Sequence, residues 1–388
     1  MMKDVYVVAG ARTAVGKSKR GALATYRPDD MAAAAIADAV RRAGVKGEEI
    51  QDLVLGCSIP EGEQGMNIAR MAGTIAGLPD SVSAMTINRF CSSGLEAMAI
   101  IAAKIEAGLL DVGIGGGVES MSMVPMPGFR VAPNPGLTKT RPDVFIAMGN
   151  AGDNVARDFG FTRQQIDEFA LQSNLKAVDA IDKGYFKDQI VPLQVPNGNG
   201  KTFTFDTDEG PRRDTSMEAL GALKPAFAIS EKTGFHTAGN SSQTSDGAAA
   251  LVLMSGKAVK ERGLKPLARF VGYNIAAGEP KYLGPAQLEA IPRACELAGI
   301  KVSDVDLFEA NEAFAAVVLL VQRELKIDPA KVNVNGGAIA LGHPLGCSGA
   351  KLSVQIINEL RRRGGKYGVV TMCIGGGMGG AGVFELCD

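Results

Sequence analysis

The stretch Cys91-Ser92-Ser93-Gly94-Leu95-Glu96-Ala97-Met98-Ala99-Ile100-Ile101-Ala102-Ala103 decides the fold of this chain. From Leu95 onward it is apolar on nearly every side of a helix, which is typical of a helix buried in the interior. It leads to Ile114-Gly115-Gly116-Gly117, and a similar series runs from Cys347-Ser348-Gly349 to Ile374-Gly375-Gly376-Gly377. Gly94 and Gly349 lie 255 positions apart, which indicates that this part of the chain is repeated.

A second match has the same spacing. Ala43-Gly44-Val45-Lys46, followed by Ile50 and Asp52-Leu53, recurs as Ala298-Gly299-Ile300-Lys301, followed by Val305 and Asp306-Leu307. Val45 and Ile300 are again 255 positions apart. Because the matches come in the same order at nearly the same spacing, we predict a chain of two similar halves.

Each half has the pattern strand, helix, strand, helix, strand. In the first half these elements are Val5 to Val8, Met31 to Arg42, Asp52 to Leu55, Leu95 to Ala107 and Asp111 to Ile114. In the second half they are Ala268 to Val271, Leu288 to Leu297, Asp306 to Phe308, Lys351 to Arg363 and Gly368 to Cys373. Such alternation predicts an α/β fold of layered sheets with helices on both faces.

The segment 121–245 has no copy in the second half and is predicted to be an insertion. A capping box at Thr162-Arg163-Gln164-Gln165 predicts a helix within it. The strand-like run Ala248 to Met254 then returns to the first half, and Val383 to Leu386 closes the second. We therefore expect an N-terminal half of residues 1–120 plus 246–266, an inserted domain of residues 121–245, and a C-terminal half of residues 267–388.

The charge and hydropathy of the chain exclude several classes of protein. Its 41 Lys and Arg residues are balanced by 42 Asp and Glu residues, so no overall positive field would hold nucleic acid or an anionic membrane. The longest apolar run, Ala313 to Val321, is nine residues long, whereas a membrane span needs about twenty. The start lacks the pattern of a secretory signal, and six cysteines are scattered along the chain, so we expect free thiols and a cytoplasmic location.

The search for a base of physiological pKa is short, because the chain has only two histidines. His343 follows a glycine-rich run and precedes a predicted helix, in Gly342-His343-Pro344-Leu345-Gly346. This pattern fits a functional side chain and a solvated loop histidine equally well. His236 lacks such a setting and is interpreted as structural.

Two cysteines and an asparagine lie at the ends of predicted elements. Cys91 lies at a helix start, where free N–H groups and the helix dipole lower a thiol pKa; the alternative is a buried, inert thiol. Cys347 repeats that position beside His343. Cys373 closes a parallel strand just before Gly375, at the edge where α/β sheets bind ligands. Asn311 follows another strand, where a helix N-cap is the plain alternative.

The sequence disfavours a metal and a nucleotide cofactor. It has no Cys-x-x-Cys and no pair of histidines at helical spacing. Gly375-x-Gly377-x-x-Gly380 matches the dinucleotide fingerprint, but a strand rather than a helix is predicted to follow it. We therefore expect no metal and no permanently bound cofactor. What remains is a Cys/His enzyme with a second thiol and glycine loops that donate N–H groups to an oxyanion.

Four motifs resemble those of the thiolase family over essentially the whole chain. They are Asn88-Arg89-Phe90-Cys91-Ser92-Ser93-Gly94-Leu95, Asn311-Glu312-Ala313-Phe314-Ala315, Gly342-His343-Pro344-Leu345-Gly346 and Cys373-Ile374-Gly375-Gly376-Gly377. The resemblance implies two similar αβαβα layered halves with an inserted loop domain, in agreement with the duplication.

The same resemblance implies the catalytic roles. Cys91 would be the nucleophile, activated by His343, and would take an acyl group from a 3-ketoacyl-CoA. Cys373 would transfer a proton to or from the carbon of the acetyl-CoA enolate. One oxyanion hole would consist of His343 and a water held by Asn311, and the other of the backbone N–H groups of Cys91 and Gly375.

The insertion would bind coenzyme A, the expected cosubstrate. By the resemblance, Arg212 would contact the adenine, and Ala238 and Ser242 the pantetheine. One family serine near the nucleotide is replaced by Ala219. The remaining implied contacts line the thioester pocket and have ordinary core packing as their alternative; they are Phe235, Met148 and Phe314.

The sequence favours the degradative 3-ketoacyl-CoA branch of the family. Ala147-Met148-Gly149 stands where short-chain acetoacetyl-CoA thiolases carry His-Met-Gly, and Asn88-Arg89-Phe90-Cys91 also resembles that branch. Three alternatives stay open: condensation of two acetyl-CoA molecules, a non-catalytic CoA- or lipid-binding relative, and, more distantly, a ketosynthase. The retained Cys91, His343 and Cys373 argue against the last two. We expect a homodimer or homotetramer that binds CoA thioesters but neither nucleic acid nor a membrane.

Overall fold

The computed structural model describes residues 4–198, 200–227 and 234–387. The strands are β1 (Val5–Arg12), β2 (Gly16–Lys17), β3 (Asp52–Gly56), β4 (Ser83–Ile87), β5 (Val112–Ser120), β6 (Leu193–Pro196), β7 (Thr202–Phe205), β8 (Ser245–Ser255), β9 (Ala268–Ala277), β10 (Leu307–Ala310), β11 (Tyr367–Ile374) and β12 (Met378–Leu386). The helices are α1 (Pro28–Ala43), α2 (Ile68–Ile75), α3 (Ser93–Glu106), α4 (Pro135–Thr140), α5 (Met148–Asp158), α6 (Arg163–Asp182), α7 (Met217–Gly221), α8 (Gly256–Arg262), α9 (Gln287–Ala298), α10 (Ala315–Glu324), α11 (Ala338–Leu341) and α12 (Leu345–Arg363).

Ten of these strands form one mixed sheet, whose two parts repeat a single strand order. The first part runs β4-β3-β5-β8-β1 and the second β10-β11-β12-β9, while β2 pairs with β8. The parts meet where β1 pairs with β9 at only two positions, Tyr6 with Arg269 and Val7 with Ala268. A bridge from Phe308 to Val332 occupies the place of β4 in the second part. The repeated order agrees with the predicted duplication.

Three apolar clusters define the layers. The central one combines α3 and α12 with side chains from both parts of the sheet, such as Leu251 and Met372. The two outer clusters place α1 on one part, through residues such as Ile36 and Val252, and α9 on the other, through residues such as Ile291. Because alternate residues of a strand point to opposite faces, Leu251 faces the centre and Val252 the outside. The predicted layered α/β fold is confirmed.

Paired glycines let the two central helices pack closely. A Cβ on Gly94 would lie 2.7 Å from Ala350 N, and one on Gly349 would lie 2.3 Å from Leu95 N. Real side chains do not tolerate such contacts, so the repeated glycine is required at both positions. The consequence is that the starts of α3 and α12, which carry Cys91 and the His343 loop, lie against each other.

Most predicted elements are present, and the structure contains others that were not predicted. The five elements predicted for each half correspond to β1, α1, β3, α3 and β5 and to β9, α9, β10, α12 and β11. The capping box is also found, since Thr162 Oγ1 accepts from Gln165 N at 3.2 Å at the start of α6. Helix α2 and edge strand β4 were not predicted. Among the described residues, no helix is both long and apolar enough to cross a membrane.

Candidate active site

A cavity of about 240 Å³ opens at the ends of the strands of both halves. Its walls are mostly apolar, and they carry both candidate thiols and the candidate base. The lining residues are Cys91, Met121, Met126, Ala147, Met148, Gly149, Phe227, Ser241, Ser242, Gln243, Thr244, Leu283, Ala313, Phe314, His343, Leu345, Cys373 and Gly375.

Cys91 lies in a turn of 3₁₀ helix, Phe90–Ser92, directly before α3. Phe90 has φ +45°, a left-handed conformation that costs a non-glycine residue energy and is common at functional sites. Three hydrogen bonds hold it there: Asn88 Oδ1 accepts from Phe90 N, and the hydroxyls of Ser58 and Ser93 both donate to Phe90 O. This strained turn presents Cys91 to the cavity.

Burial outweighs the expected effect of the helix start on the pKa of Cys91. Burial raises the pKa of the Cys91 thiol to about 12, and the negative charge of Glu119 adds to the rise. The backbone N–H groups of Cys91 and Gly375 hydrogen-bond to the sulfur and oppose the rise without cancelling it. The prediction of a lowered pKa was wrong, because desolvation outweighs the helix start. Cys91 is therefore a thiol at rest and needs a base.

His343 lines the same cavity as Cys91 and is the candidate base. Its Nδ1 lies 2.5 Å from Ser348 Oγ, and this hydroxyl donates to Pro344 O at 3.0 Å. Since the hydroxyl proton is used, Ser348 Oγ accepts from Nδ1–H, and the lone pair of a neutral imidazole remains on Nε2. Burial and the charge of Lys351 lower the pKa of His343 to about 3, so the ring stays neutral at physiological pH.

Asn311 contacts the base and does not cap a helix. Its Nδ2 lies 3.2 Å from His343 Nε2, and its backbone N–H donates to Thr371 O at 2.9 Å. The next helix, α10, begins four residues later, with Phe314 at its N-cap position. The sequence alternative of an N-cap asparagine was therefore wrong.

Cys373 lies near the end of β11 and lines the same cavity as Cys91. Burial raises the pKa of the Cys373 thiol, and the neighbouring Cys91 raises it further. Gly375, two residues on, points its N–H at Cys91. The cavity thus joins two protonated thiols, a neutral imidazole and two N–H donors.

The predicted ligand contacts fall into two groups. Met148, Phe314 and Ser242 line the cavity. Arg212 and Ala238 are exposed and lie outside it, and Phe235 is half-buried against another apolar cluster.

Sequence reasoning missed several residues of the site. No role was predicted for Ser348, although its hydroxyl sets the tautomer of His343. Sequence reasoning also missed the apolar wall formed by Met121, Met126, Leu283 and Leu345. Only the position of Ser348 in the first turns of α12, five residues after His343, offered a signal in the sequence.

The second histidine is part of the framework. His236 is fully buried, and its Nδ1 lies 2.8 Å from Asp153 Oδ1. Its ring packs edge-on against Phe314, 5.0 Å between centroids. The residues described here contain no cluster of His, Cys, Asp and Glu that could hold a metal ion.

Family comparison agrees with this geometry. The family model "Thiolase, N-terminal domain" matches residues 5–257, and "Thiolase, C-terminal domain" matches residues 264–386. The chain belongs to the thiolase family. This thiolase-family chain is 50% identical over 394 residues to the 3-ketoacyl-CoA thiolase of Bacillus subtilis, with 100% of both chains covered. It is 45% identical over 390 residues to the acetyl-CoA acetyltransferase of Pseudomonas aeruginosa, with 97% of this chain and 98% of that protein covered. Human mitochondrial 3-ketoacyl-CoA thiolase superposes with a TM-score of 0.91 at 36% identity, and 100% of both chains is covered.

Proposed function

We propose that this protein is an acyltransferase that cleaves 3-ketoacyl-CoA with coenzyme A, giving acetyl-CoA and an acyl-CoA shortened by two carbons, in fatty acid degradation. One observation carries the proposal: Cys91, Cys373 and His343 face one apolar cavity in a thiolase-family chain that is 50% identical to a 3-ketoacyl-CoA thiolase. Two protonated thiols and a neutral imidazole are the groups that this reaction needs.

The first step forms the acyl-enzyme. His343 Nε2 takes the Cys91 proton as the sulfur attacks the 3-keto carbon of the substrate. The N–H groups of Cys91 and Gly375 approach the sulfur, so they would also reach the oxyanion on the attacked carbon. The bond between C2 and C3 then breaks, its electron pair passes to C2, and acetyl-CoA forms as its enolate.

The second step returns a proton to carbon. Cys373 is a thiol at rest, so it would donate its proton to C2 of the enolate. The imidazolium of His343, with a water held by Asn311, would stabilise the enolate oxygen. A CoA thiol then gives its proton to the Cys373 thiolate and attacks the acyl-enzyme; the shortened acyl-CoA leaves, and the imidazolium of His343 returns its proton to Cys91.

The proposed coenzyme A site extends from the cavity over the insertion. Met148 and Phe314 would pack against the thioester, and Ser242, Ala238 and Phe235 would follow the pantetheine. The exposed Arg212 would contact the adenine. This proposal includes the predicted division into residues 1–120 plus 246–266, 121–245 and 267–388, with the middle segment as the CoA-binding domain.

The direction of the reaction and the acyl-chain length of the preferred substrate separate the main proposal from its alternatives. Similarity to the acetyl-CoA acetyltransferase of Pseudomonas aeruginosa favours condensation of two acetyl-CoA molecules as the second candidate. Thiolysis rates for 3-ketoacyl-CoA substrates of four to eight carbons decide between them. A binding-only relative would form no acyl-enzyme, which mass spectrometry of Cys91 after mixing with acyl-CoA would detect.

We also propose a homodimer or homotetramer. Among the described strands, edge strand β4 pairs with β3 alone, and its side chains from Ala84 to Ile87 are only partly buried. Such an open edge is a template for pairing with another strand, and a second copy of β4 is the proposed partner. Sedimentation would give the oligomeric state. The cytoplasmic location stays a prediction that cell fractionation would test.

A further inference from the structure

Glu119 is a buried carboxylate that the proposed mechanism does not use. It lies near the end of β5 with no exposed surface. Its Oε2 accepts from Ser58 N and Gly346 N, both at 2.8 Å. Its Oε1 accepts from Gln64 Nε2 at 2.8 Å and from Ile59 N at 3.3 Å.

These contacts select the charged form of Glu119. Burial raises the pKa of Glu119, and its N–H donors oppose the rise. Each oxygen already receives two N–H groups, and the Cys57 thiol lies 3.8 Å from Oε1 as a further donor, so a proton on either oxygen would face N–H donors. Within the described residues no Lys or Arg forms an ion pair with Glu119. The neutral donors therefore favour a negative charge on Glu119, in opposition to burial, which raises its pKa.

One oxygen of Glu119 joins the loop that carries Cys91 (the Cys91 loop) to the loop that carries His343 (the His343 loop). Ser58, which donates to Oε2 through its N–H, donates through its hydroxyl to Phe90 O at 2.8 Å, next to Cys91. Gly346, the other donor to Oε2, lies three residues after His343 in the first turn of α12. The fit is tight, because a Cβ on Gly346 would lie 2.9 Å from Oε2.

The charge also acts on the nucleophile. It is among the causes of the raised pKa of Cys91, after burial. Substitutions of Glu119 can therefore separate its positioning of the loops from the effect of its charge on Cys91.

We propose that Glu119 is a positioning residue of the acyl transfer, which fixes the Cys91 loop against the His343 loop and holds a negative charge beside the nucleophile. The inference rests on the proposed function for its role in turnover. Loss of the Glu119 carboxylate should therefore have two measurable effects of opposite sign: turnover should fall, and alkylation of Cys91 should become faster.

The test compares Glu119→Gln with Glu119→Asp. In Glu119→Gln the amide NH₂ faces two N–H donors and the charge is lost. Turnover should fall about 10- to 100-fold from misplacement of the loops. Iodoacetamide at pH 8 should alkylate Cys91 roughly three- to tenfold faster, the change that half to one pKa unit makes in the thiolate fraction. Glu119→Asp keeps the negative charge on a shorter side chain that no longer spans the two loops. Turnover should therefore fall, while the alkylation rate of Cys91 should not rise.

The test includes a matched control variant and a check that each variant is folded. Asp52 is another buried carboxylate, at the other end of the sheet, paired with Lys104. Asp52→Asn should leave the alkylation rate of Cys91 unchanged, and circular dichroism should show each variant folded. Wild-type turnover of Glu119→Gln, or a fall of turnover and alkylation together, overturns the proposal. Failure of both Glu119 variants to fold would make the residue purely structural and overturn it too. If the wild-type protein itself shows no thiolysis, the proposed function fails, while the alkylation rates still test Glu119.

Discussion

The acyl-chain preference can be tested at Ala147, which lines the cavity just before α5. The cavity has a volume of about 240 Å³. Its apolar wall of Met121, Met126, Leu283 and Leu345 suits an alkyl chain. We therefore expect 3-ketohexanoyl- and 3-ketooctanoyl-CoA to be cleaved more efficiently than acetoacetyl-CoA.

The size of this preference follows from the buried methylenes. Each contributes about 0.8 kcal/mol, and about 1.4 kcal/mol is tenfold in rate, so two to four partly buried methylenes raise kcat/KM by roughly one to two orders of magnitude. Ala147→Leu adds three carbons to the wall and should displace a similar length of acyl chain. It should raise the activation free energy for the eight-carbon substrate by about 2 kcal/mol, which lowers kcat/KM about thirtyfold. The kcat/KM for acetoacetyl-CoA should be nearly unaffected.

Thiolysis assays on the three substrates provide the measurement. Ala107→Leu, at an exposed alanine after α3, is the matched control and should change none of the three rates. A wild-type preference for acetoacetyl-CoA would refute the reasoning and favour acetyl-CoA condensation. Equal losses on all three substrates in Ala147→Leu would show that the side chain does not meet the acyl chain.

Three further predictions concern the site itself. Iodoacetamide should inactivate the enzyme by modifying Cys91 first, with protection by acyl-CoA; peptide mapping that finds Cys57 or Cys295 modified at full inactivation, with Cys91 intact, would contradict this. Cys373→Ala should still form an acyl-enzyme but lose exchange of the acetyl-CoA methyl protons in deuterated buffer, and near-normal exchange would assign the proton transfer to another base. Because the pKa of His343 is about 3 in the folded chain and ordinarily 6.5, the unfolded chain binds the extra proton between these values. The free energy of unfolding should therefore rise with pH across that window, by at most about 1.4 kcal/mol per pH unit from this group, and urea titrations at pH 4.5 and 7 should show a smaller rise in His343→Asn.

The sequence alone determined the architecture and predicted which groups react. The repeats around Gly94 and Gly349 predicted two similar halves. Close packing of the two central helices requires glycine at both positions, so the same residue recurs in each copy. The four motifs predicted which side chains meet in the cavity, since residues at the ends of strands converge at one edge of a sheet.

The tertiary structure decided the electrostatics and the supporting contacts. The pKa of Cys91 is raised rather than lowered, because burial depends on elements distant in sequence that no local pattern describes. The bond from Ser348 to His343, and the bridge from Glu119 to Ser58 and Gly346, were likewise invisible. Glu119 and Gly346 are 227 positions apart, and only the packing of α12 against the first half of the sheet brings them together.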